Sequence, residues 1–333
     1  LPNARLVAAC DRNQGLAESF SKQWRLRPYG DLHAMMKNHP ECDIVLVLTE
    51  AGSHAPVAQE LAVYGKHIVI EKPIALTLRD ADKVISVCRE RNIKLFVVCQ
   101  NRHNLPVQLL RKAFENQRFG KVFMGTSRVR WCRTEDYYRQ TPWRGTWQAN
   151  GGVLVNQAIH HIDLLNWFLG DPVSVFARSI QAQANGVEVE DTGVAIVRYK
   201  SGALGTLEAT TAVRPQDLEA SLTLMGQNGM AEIGGFAVNR LVHWNFKELT
   251  AAERNPHFGE KHSENPPTVY GFGHLRYLKN VIDSVQNDRP SEEGTEARRA
   301  LELASAMYES IEAGKEISIP FKPKWCKLGK KGS

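Results

Sequence analysis

Short apolar runs alternate with helical patterns in the N-terminal part of the chain. The apolar runs lie at residues 6–10, 43–49, 67–73 and 94–101, and the helical patterns at 15–24, 53–64 and 77–92. Alternation at this spacing is typical of βαβ units, whose parallel strands are almost continuously apolar because helices cover both faces of the sheet. The pattern predicts a doubly wound, Rossmann-type α/β domain.

The pattern changes after a further helix predicted at 105–116. Five strand-like segments follow at 121–132, 173–183, 192–202, 203–213 and 219–226, and helical patterns at 271–286 and 294–313 close the chain. They predict a second α/β domain with a large, mostly antiparallel sheet and one open face. Another subunit commonly covers such a face. We therefore expect domains at 1–103 and 104–333, and a homo-oligomer, dimer or tetramer, formed through the open face.

Composition narrows the class of protein. The 333 residues are 43% hydrophobic and 23% charged, a balance typical of a globular chain. No window approaches the ~18 uninterrupted apolar residues that a membrane span needs. The six cysteines are scattered without a C-x-x-C pair, which argues for a reducing compartment and against a cysteine zinc site. These features predict a cytoplasmic protein with no membrane partner.

The net charge of +6 would suit a polyanionic partner, but the basic residues are spread along the chain. The only dense run is the terminal KPKWCKLGKKGS, which is more typical of a solvated tail than of a nucleic-acid site. We therefore expect no nucleic-acid partner. A small substrate that carries phosphate fits the mild excess of positive charge equally well.

A glycine-rich turn is absent where a dinucleotide-binding domain normally has it. Such a domain opens with a strand, a G-x-G-x-x-G turn and a helix, so that the backbone can approach the pyrophosphate. Here the first glycine is Gly15, already beyond Asp11, and the only G-x-G, in YGFGHLRY, has Arg276 where a third glycine is needed. We expect that the sequence lacks the first βα unit and, with it, the pyrophosphate cradle.

Asp11 follows the first apolar run, at the place of the acid that hydrogen-bonds the adenosine ribose in dinucleotide-binding domains. Its charge would repel a 2′-phosphate and so favour NAD over NADP. Capping of the following helix explains an aspartate at this position equally well. Arg12 weakens the preference, because an arginine could instead meet a phosphate.

The segment IEKP, residues 70–73, ends an apolar strand with a glutamate, a lysine and a proline. Open α/β sheets bind their ligands at this carboxyl edge. The ammonium of Lys72 could hydrogen-bond an alcohol oxygen and stabilise its developing alkoxide character. Taken alone, the E-K-P segment is better explained by an exposed salt bridge at the end of a strand than by a catalytic lysine.

The stretch NGGVLVNQAIHHIDLLNW, residues 150–167, places polar side chains inside an apolar helical pattern. Asn156 and His160 are four residues apart and so share one helical face, while His160 and Asp163 are three apart. No second cluster supplies further ligands, so we expect no metal site. A neutral histidine suits a general base for an alcohol, although a lone helical histidine more often has a structural role.

The order of the motifs resembles one family. CDRN, LT-x4-H, EKP, QNRHN, GG-x3-N-x-A-x-H-x-x-DLLNWFLG and YGFGH follow one another over almost the entire chain, as in the glucose–fructose oxidoreductase/inositol dehydrogenase (Gfo/Idh/MocA) family. The resemblance implies that a sugar or polyol hydroxyl is oxidised with NAD, and that Lys72 and His160 are catalytic. It also implies cofactor contacts by Asp11, Arg12, Thr49, His54, Glu71, Lys72 and Gln100. The family's usual aspartate is Asn156 here, and Asp163 matches a structural aspartate.

Residues 131–167 are more closely similar to dehydrogenases that oxidise UDP-N-acetylglucosaminuronic acid at its 3-hydroxyl for bacterial surface polysaccharides such as O-antigen. In such a site, arginines offer planar donors to a carboxylate or diphosphate, and aromatic rings offer stacking surfaces. The nearby candidates of these kinds are Arg139, Tyr137, Trp143 and Trp147. The substrate contacts that we expect are Lys72, Arg133, Tyr138, Arg144, Asn156 and His160. For any one of these arginines, the simpler explanation is that it belongs to a loop of amphipathic residues that covers the sheet.

The leading hypothesis is an NAD-dependent dehydrogenase of a nucleotide sugar, in which His160 accepts the hydroxyl proton while Lys72 orients the oxygen. A dehydrogenase of another sugar or of inositol is an alternative. A non-catalytic regulatory protein that binds sugar or NAD is another. The absent glycine turn favours the regulatory protein, whereas the presence of both Lys72 and His160 disfavours it.

Overall fold

The N-terminal part of the protein contains two parallel sheets with helices between their strands. The computed structural model describes residues 1, 3–183, 186–291 and 293–330. One sheet pairs β1 (Ala9–Cys10) with β2 (Pro28–Tyr29), and the other has the order β3 (Ile44–Val47), β4 (His67–Ile70) and β5 (Leu95–Val97). The connecting helices are α1 (Gln14–Trp24), α2 (Leu32–Asn38), α3 (His54–Ala62) and α4 (Leu78–Glu90). The prediction of a Rossmann-type domain is confirmed.

Short polar side chains fix where several of these helices begin. Asn13 accepts a hydrogen bond from the backbone N–H of Leu16 at 3.2 Å, and Thr77 accepts one from Asp80 at 3.1 Å. These bonds satisfy N–H groups that have no partner within the helix. Because the strands within each sheet are parallel, their carboxyl ends and the loops after them lie at the same edge of that sheet.

The second part is built on an eight-stranded sheet of order β12-β11-β10-β6-β9-β8-β7-β13. Its strands are β6 (Val122–Arg130), β7 (Pro172–Ile180), β8 (Thr192–Tyr199), β9 (Leu204–Thr210), β10 (Glu219–Gly226), β11 (Gly229–Gly234), β12 (Arg240–Phe246) and β13 (Ile317–Ser318). Among the described strands of this sheet, only the central pair β6–β9 is parallel. The prediction of a large, mostly antiparallel sheet is confirmed, although the pattern did not predict β11, β12 and β13.

The two faces of this sheet differ. Alternate residues of β8 and β9, such as Val197 and Leu207, are fully buried, whereas Val194, Ile196 and Leu204 between them are about half exposed. Helices cover the buried face, chiefly α8 (Ile159–Leu169) and α11 (Glu293–Ala313). The remaining helices are α5 (Leu105–Glu115), α6 (Glu135–Arg139), α7 (Val153–Asn156), α9 (Phe258–Lys261) and α10 (Gly273–Gln286). The other face is open.

Helix α10 returns to the N-terminal sheet although it follows the large sheet in the chain. Its residues Tyr277 and Val281 pack with Val69, Phe96 and Val98 in a separate apolar cluster. Helix α11 contacts α4 and β5 as well as β7 and α8. The two C-terminal helices therefore join both parts of the protein. No helix among the described residues is both long and apolar enough to cross a membrane.

The stretch 150–167 forms two helices, so the prediction that Asn156 and His160 share one helical face is wrong. Helix α7 ends at Asn156 and α8 begins at Ile159. Between them, the N–H of Ala158 donates to the carbonyl of Val153 at 2.8 Å, one residue further back than in an α-helix. This wide turn displaces the start of α8 from the axis of α7.

Candidate active site

Lys72 lies just after the carboxyl end of β4 and reaches across to the second part of the chain. Its Nζ donates to the backbone carbonyl of Asn156 at 2.8 Å and to the side-chain Oδ1 of Asn156 at 3.1 Å. Burial lowers the pKa of Lys72 below its ordinary value, while the charge of Glu71 opposes the shift. The two hydrogen bonds to Asn156 thus anchor the ammonium. The Lys72–Pro73 peptide is cis.

His160 is buried at the start of α8, and its Nε2 lies 3.2 Å from the side-chain nitrogen of Gln100. Burial lowers the pKa of His160 well below 6.5, and the charges of Lys72, His161 and His274 lower it further. The imidazole is therefore neutral at physiological pH. An N–H of Gln100 can donate to Nε2 only while that nitrogen keeps its lone pair.

This pairing of a neutral imidazole with a nearby ammonium suits the oxidation of an alcohol. A neutral histidine can take up the hydroxyl proton. A lysine that keeps its charge stabilises the negative charge that develops on the oxygen. The structure brings these two predicted groups to one edge of the N-terminal sheet, where open α/β sheets bind ligands.

Asp11 lies directly after β1 and is exposed. Its side chain accepts from the N–H of Asn13 at 2.8 Å, and Asn13 itself caps helix α1. Helix capping therefore does not account for Asp11, and its carboxylate lies at the strand end where a ribose would be bound. Arg12 is exposed beside it.

Residues at the ends of the next strands suit the polar groups of NAD. Thr49 is exposed and Glu71 is half-buried, each just beyond a strand. Gln100 is buried, and its Oε1 has no hydrogen-bond partner among the described residues. A buried acceptor without a partner is rare in native proteins. It fits a ligand that brings an N–H or O–H group, as the amide and ribose of NAD do.

His54 is placed differently from the other residues predicted to contact the cofactor. It is 1% exposed, and its ring nitrogens lie 2.7 Å from the carbonyl oxygen of Pro73 and 2.9 Å from that of Thr49. Both ring nitrogens thus face backbone carbonyl oxygens, and the direct contact of His54 with the cofactor stays a prediction. We expect His54 to hold the loops that carry Thr49 and Lys72.

Two of the predicted substrate arginines lie against one aromatic ring. The guanidinium carbons of Arg133 and Arg144 are 5.5 and 4.2 Å from the centre of the Tyr137 ring. Arg133 also binds Asp217 at 3.0 Å, and Arg144 donates to the Tyr137 carbonyl at 2.9 Å. The Nε of Arg144 is buried without a partner among the described residues. The cluster has donors available for an anionic ligand.

The other two candidates of this segment, Tyr138 and Arg139, lie in different surroundings. The hydroxyl of Tyr138 lies 3.3 Å from that of Thr211, and burial raises the pKa of Tyr138. Its ring packs edge-on against that of Tyr137, with 5.1 Å between ring centres, so Tyr138 lies beside the cluster of Arg133, Tyr137 and Arg144. Arg139 instead points to the surface and pairs with Glu135 within its own helical turn, so the structure does not bring it to the other arginines.

Asn150 connects this segment to Lys72 and was not predicted. Its Oδ1 accepts from the Gly145 N–H at 3.2 Å and from the Asn156 side-chain amide at 3.1 Å. The preceding residue, Ala149, accepts from the N–H of Gly52 at 3.0 Å. The segment 141–150 is thus tied both to α7 and to the loop after β3. No sequence signal distinguished Asn150 from other loop asparagines.

His274 is a second residue that sequence reasoning missed. It lies at the start of α10, with its Nε2 3.9 Å from a carboxylate oxygen of Glu71 and its ring packed edge-on against Tyr270. Its charge also lowers the pKa of His160. The motif YGFGH contained the signal, because it placed a histidine at a helix start next to the glycines.

The remaining polar residues of α8 have structural contacts. The Nδ1 of His161 lies 2.7 Å from the hydroxyl of Ser127, beneath the large sheet, and burial lowers the pKa of His161 to about 4. Asp163 accepts two hydrogen bonds from Arg102. Among the described residues, no three His, Cys, Asp or Glu side chains come together as a metal site would require.

Comparison with known proteins agrees with this arrangement. A sequence model described as "Oxidoreductase family, NAD-binding Rossmann fold" matches residues 1–99, and one described as "GFO/IDH/MocA C-terminal domain" matches residues 107–232. The chain belongs to the GFO/IDH/MocA family. It is therefore an oxidoreductase that uses NAD, and the resemblance seen in its motifs is confirmed.

Several known proteins are similar to this chain along almost its whole length. The WlbA dehydrogenase of Bordetella pertussis, crystallised with NADH and UDP-GlcNAcA, is 37% identical with a TM-score of 0.89, over 96% of this chain and 92% of that one. The Chromobacterium violaceum WlbA dehydrogenase, with the same ligands, is 35% identical with a TM-score of 0.88, over 96% and 90%. The myo-inositol 2-dehydrogenase of Thermotoga maritima is 26% identical over 96% of this chain and 92% of its own length.

Proposed function

We propose that the protein oxidises the 3-hydroxyl of UDP-N-acetylglucosaminuronic acid with NAD, as a step in the synthesis of a bacterial surface polysaccharide. The observation that carries this proposal is the meeting of Lys72 and His160 at the carboxyl edge of the sheet, with Asn150 linking Lys72's anchor Asn156 to the segment that carries Arg144. The similarity to two WlbA dehydrogenases crystallised with this sugar supports the choice of substrate.

His160 acts as the base. As hydride leaves the sugar carbon, the hydroxyl proton passes to the neutral Nε2, displacing the hydrogen bond from Gln100. NAD supplies the acceptor for the hydride. The lowered pKa of His160 keeps this nitrogen deprotonated before each turnover. The oxidation gives a 3-keto sugar, NADH and one proton.

Lys72 orients the oxygen and stabilises its developing negative charge. Its three N–H donors are only partly used by the two oxygens of Asn156. The third can reach a substrate oxygen without breaking the others. In this role Asn156 positions the substrate hydroxyl through Lys72, because its Oδ1 is already an acceptor for the ammonium.

Asp11, Thr49, Glu71 and Gln100 hold the cofactor. The exposed carboxylate of Asp11 suits the two hydroxyls of an adenosine ribose and disfavours a 2′-phosphate, which explains a preference for NAD. Gln100 contributes the unpaired Oε1 next to His160. Arg12, beside Asp11, contacts the adenosine end from solvent.

Arg133, Arg144 and Tyr138 bind the anionic part of the substrate. UDP-N-acetylglucosaminuronic acid carries a diphosphate and a carboxylate, and planar guanidinium groups bind both with paired hydrogen bonds. The link from Gly145 through Asn150 to Asn156 sets the distance between these arginines and Lys72. We propose that 104–333 forms the substrate domain and 1–103 the NAD domain, completed by α10.

The two N-terminal sheets also support the prediction of a further βα unit. In a doubly wound sheet of order 3-2-1-4-5-6, β2 and β1 match strands 3 and 2, and β3 to β5 match strands 4 to 6. The position of strand 1 then falls between β1 and β3. Large apolar side chains are exposed on α1 (Leu16, Phe20 and Trp24), on β3 (Leu46) and directly after β3 (Leu48). We propose that a strand, a glycine turn and a helix complete this sheet and its pyrophosphate site.

The open face of the large sheet is the proposed contact between subunits of a dimer or tetramer. Val194, Ile196, Leu204 and Phe176 form an exposed apolar patch on adjacent strands. Exposed patches of this kind are typical of protein interfaces. Introducing aspartate at Ile196 should dissociate the oligomer in analytical ultracentrifugation.

A dehydrogenase of inositol is the second candidate, favoured by the myo-inositol 2-dehydrogenase that matches over 96% of the chain. Inositol is uncharged, so it would leave the cluster of Arg133, Tyr137 and Arg144 without a ligand. The nucleotide sugar and inositol therefore differ in whether Arg133 and Arg144 affect the Michaelis constant for the substrate.

Reduction of NAD by the purified protein, supplied with UDP-N-acetylglucosaminuronic acid or with myo-inositol, tests the proposal. We expect turnover of the acidic sugar and a fall in kcat of on the order of 100-fold or more in Lys72→Met and His160→Ala. Lys83→Met and His257→Ala, whose side chains are 48% and 69% exposed, are matched controls that should keep the full rate. Faster turnover of myo-inositol, or a normal rate in either active-site variant, would refute the assignment.

A further inference from the structure

Glu190 is a buried acid that the proposed reaction does not use directly. It precedes β8 and is 6% exposed. Its Oε1 accepts from the N–H of Leu154 at 3.1 Å and from the hydroxyl of Tyr308 at 2.8 Å. Its Oε2 has no partner among the described residues. Burying a carboxyl group with one unpaired oxygen destabilises the folded protein. The presence of Glu190 at this position therefore needs an explanation, which its other contacts provide.

Helix α7 begins directly above this carboxyl group. The carbonyl of Glu190 accepts from the Val153 N–H at 3.2 Å, next to the bond from Leu154. Glu190 therefore satisfies two of the N–H groups at the start of the helix that have no partner within it. Gly152, at the N-cap, has no side chain to do this.

Gly152 leaves the space that this arrangement needs. A β-carbon added there would overlap the carboxyl group of Glu190. Any other residue would force the acid, or the start of α7, to move. The second glycine of the segment thus permits the close approach between the helix and Glu190.

The other end of the same helix carries the anchor of Lys72. Helix α7 is four residues long and ends at Asn156, whose two oxygens accept from the Lys72 ammonium. A single helical turn is not stable by itself, because nucleation fixes several residues for few hydrogen bonds. Its position is set by contacts outside it, and Glu190 supplies those at its start.

Tyr308 extends the connection to the substrate segment. It lies on α11, and its ring packs edge-on against that of Trp147 with 5.2 Å between ring centres. Trp147 belongs to the segment 141–150 that leads from the arginine cluster to Asn150. Tyr308 therefore links Glu190, through its hydroxyl, to Trp147, through its ring.

We propose that Glu190 is a positioning residue for Lys72, which fixes the ammonium through helix α7. The inference rests on the proposed function, because it assigns a role in the same reaction. Glu190 touches neither substrate nor cofactor. Its loss lets Asn156 and Lys72 shift together, so the chemical step slows while NAD binding stays intact.

The charge of Glu190 is not what the role requires. Burial raises the pKa of Glu190 to about 7, the hydrogen bonds from Leu154 and Tyr308 oppose the shift, and the charge of Asp191 adds to it. The group is therefore partly protonated at neutral pH. A glutamine has the same shape as the protonated acid and keeps an acceptor oxygen for both donors. Glu190→Gln is thus the conservative variant, and Glu190→Ala the disruptive one.

Steady-state kinetics with NAD and UDP-N-acetylglucosaminuronic acid test the proposal. Losing the acceptor of two buried donors should lower kcat in Glu190→Ala by roughly ten- to a hundredfold, while the KM for NAD changes less than about twofold. Glu190→Gln should restore kcat to within about threefold of the wild type. Equal losses in both variants, or a rise in the KM for NAD with unchanged kcat, would overturn the proposal.

If Glu190→Ala does not fold, a variant that lacks a single hydroxyl group still tests the proposal. Tyr308→Phe removes one of the two bonds to Oε1 and should lower kcat by about threefold to tenfold. Tyr199→Phe is its matched control, because the Tyr199 hydroxyl is also buried and bonded, at 3.2 Å to Asn166, but lies away from Glu190. Equal rates in the two tyrosine variants would overturn the proposal.

The reactivity of the Lys72 amine separates this inference from the proposed function. Reductive methylation at a series of pH values, read by mass spectrometry, gives the pH at which Lys72 becomes reactive without any sugar present. The pKa of Lys72 is lowered in the wild type, and freeing the ammonium in Glu190→Ala should raise it. If the wild type oxidises no nucleotide sugar but this shift occurs, the proposed function fails and the positioning role stands. An unchanged Lys72 profile would overturn the positioning role.

Discussion

Replacing Asp163 by asparagine removes one charge from a buried ion pair. Arg102 donates to the two oxygens of Asp163 at 2.7 and 2.6 Å and also binds Glu296. The side chains of Arg102 and Asp163 are 13% and 5% exposed, so water cannot replace the lost charge. Removing one partner of a buried pair destabilises by about 3–5 kcal/mol. Because Glu296 keeps part of the interaction, we expect about 3 kcal/mol.

Urea denaturation of the wild type and of Asp163→Asn measures this loss of unfolding free energy. The matched control is Asp171→Asn, whose partner Arg299 lies at 2.8 Å but whose pair is 57% and 42% exposed. Exposed pairs contribute about 0–1 kcal/mol. The two substitutions are chemically identical, but the Asp163 pair is buried and held by two hydrogen bonds, whereas the Asp171 pair is exposed and held by one.

The same substitution should lower the catalytic rate. Asp163 follows His160 by one helical turn, and Arg102 follows Gln100 by two residues, so the ion pair holds the base against its neighbour. We expect kcat to fall by on the order of tenfold or more, since small displacements of reacting groups slow the chemical step. A loss of stability in Asp163→Asn no larger than in Asp171→Asn would refute the reasoning.

Three further predictions follow from the site and its supports. The profile of kcat/KM against pH should have its acid limb well below pH 6.5, because the base acts deprotonated and burial lowers the pKa of His160. Its alkaline limb should lie below pH 10.5, where Lys72 loses its proton. An acid limb at or above pH 6.5 would contradict this prediction. Gly52→Val should lower kcat/KM by on the order of 100-fold, because its β-carbon would lie 2.7 Å from the Gln148 carbonyl; wild-type kinetics would contradict it. Glu309→Ala should expose the C-terminal segment to limited proteolysis, since its carboxylate accepts from three backbone N–H groups there, and an unchanged cleavage pattern would contradict the prediction.

The fold could be predicted well where apolar periodicity was strong. Helix α4 and strand β4 lie within their predicted segments at 77–92 and 67–73, because continuous apolar runs and a threonine cap leave few alternatives. The strands β11 and β12 were missed. Strand β11 contains two glycines, and β12, at the edge of the sheet, consists of exposed and partly exposed residues. Neither strand therefore has a strong apolar pattern.

The site could be predicted in its residue types but not in its connections. Lys72 and His160 were found from motifs, whereas the position of the start of α7 depends on Glu190 and Gly152, which meet only in the folded chain. His54 was predicted as a cofactor contact because its sequence position matches a motif. Its burial between two backbone carbonyls is a tertiary property that no local pattern contains.

Transfer of deuterium from C3 of UDP-N-acetylglucosaminuronic acid to NAD tests the proposed reaction most directly. The NADH formed by the wild type is analysed by mass spectrometry, with Lys72→Met and His160→Ala in parallel. The proposed reaction predicts deuterated NADH from the wild type and almost none from either variant. Unlabelled NADH, or label transferred equally by all three proteins, would contradict it.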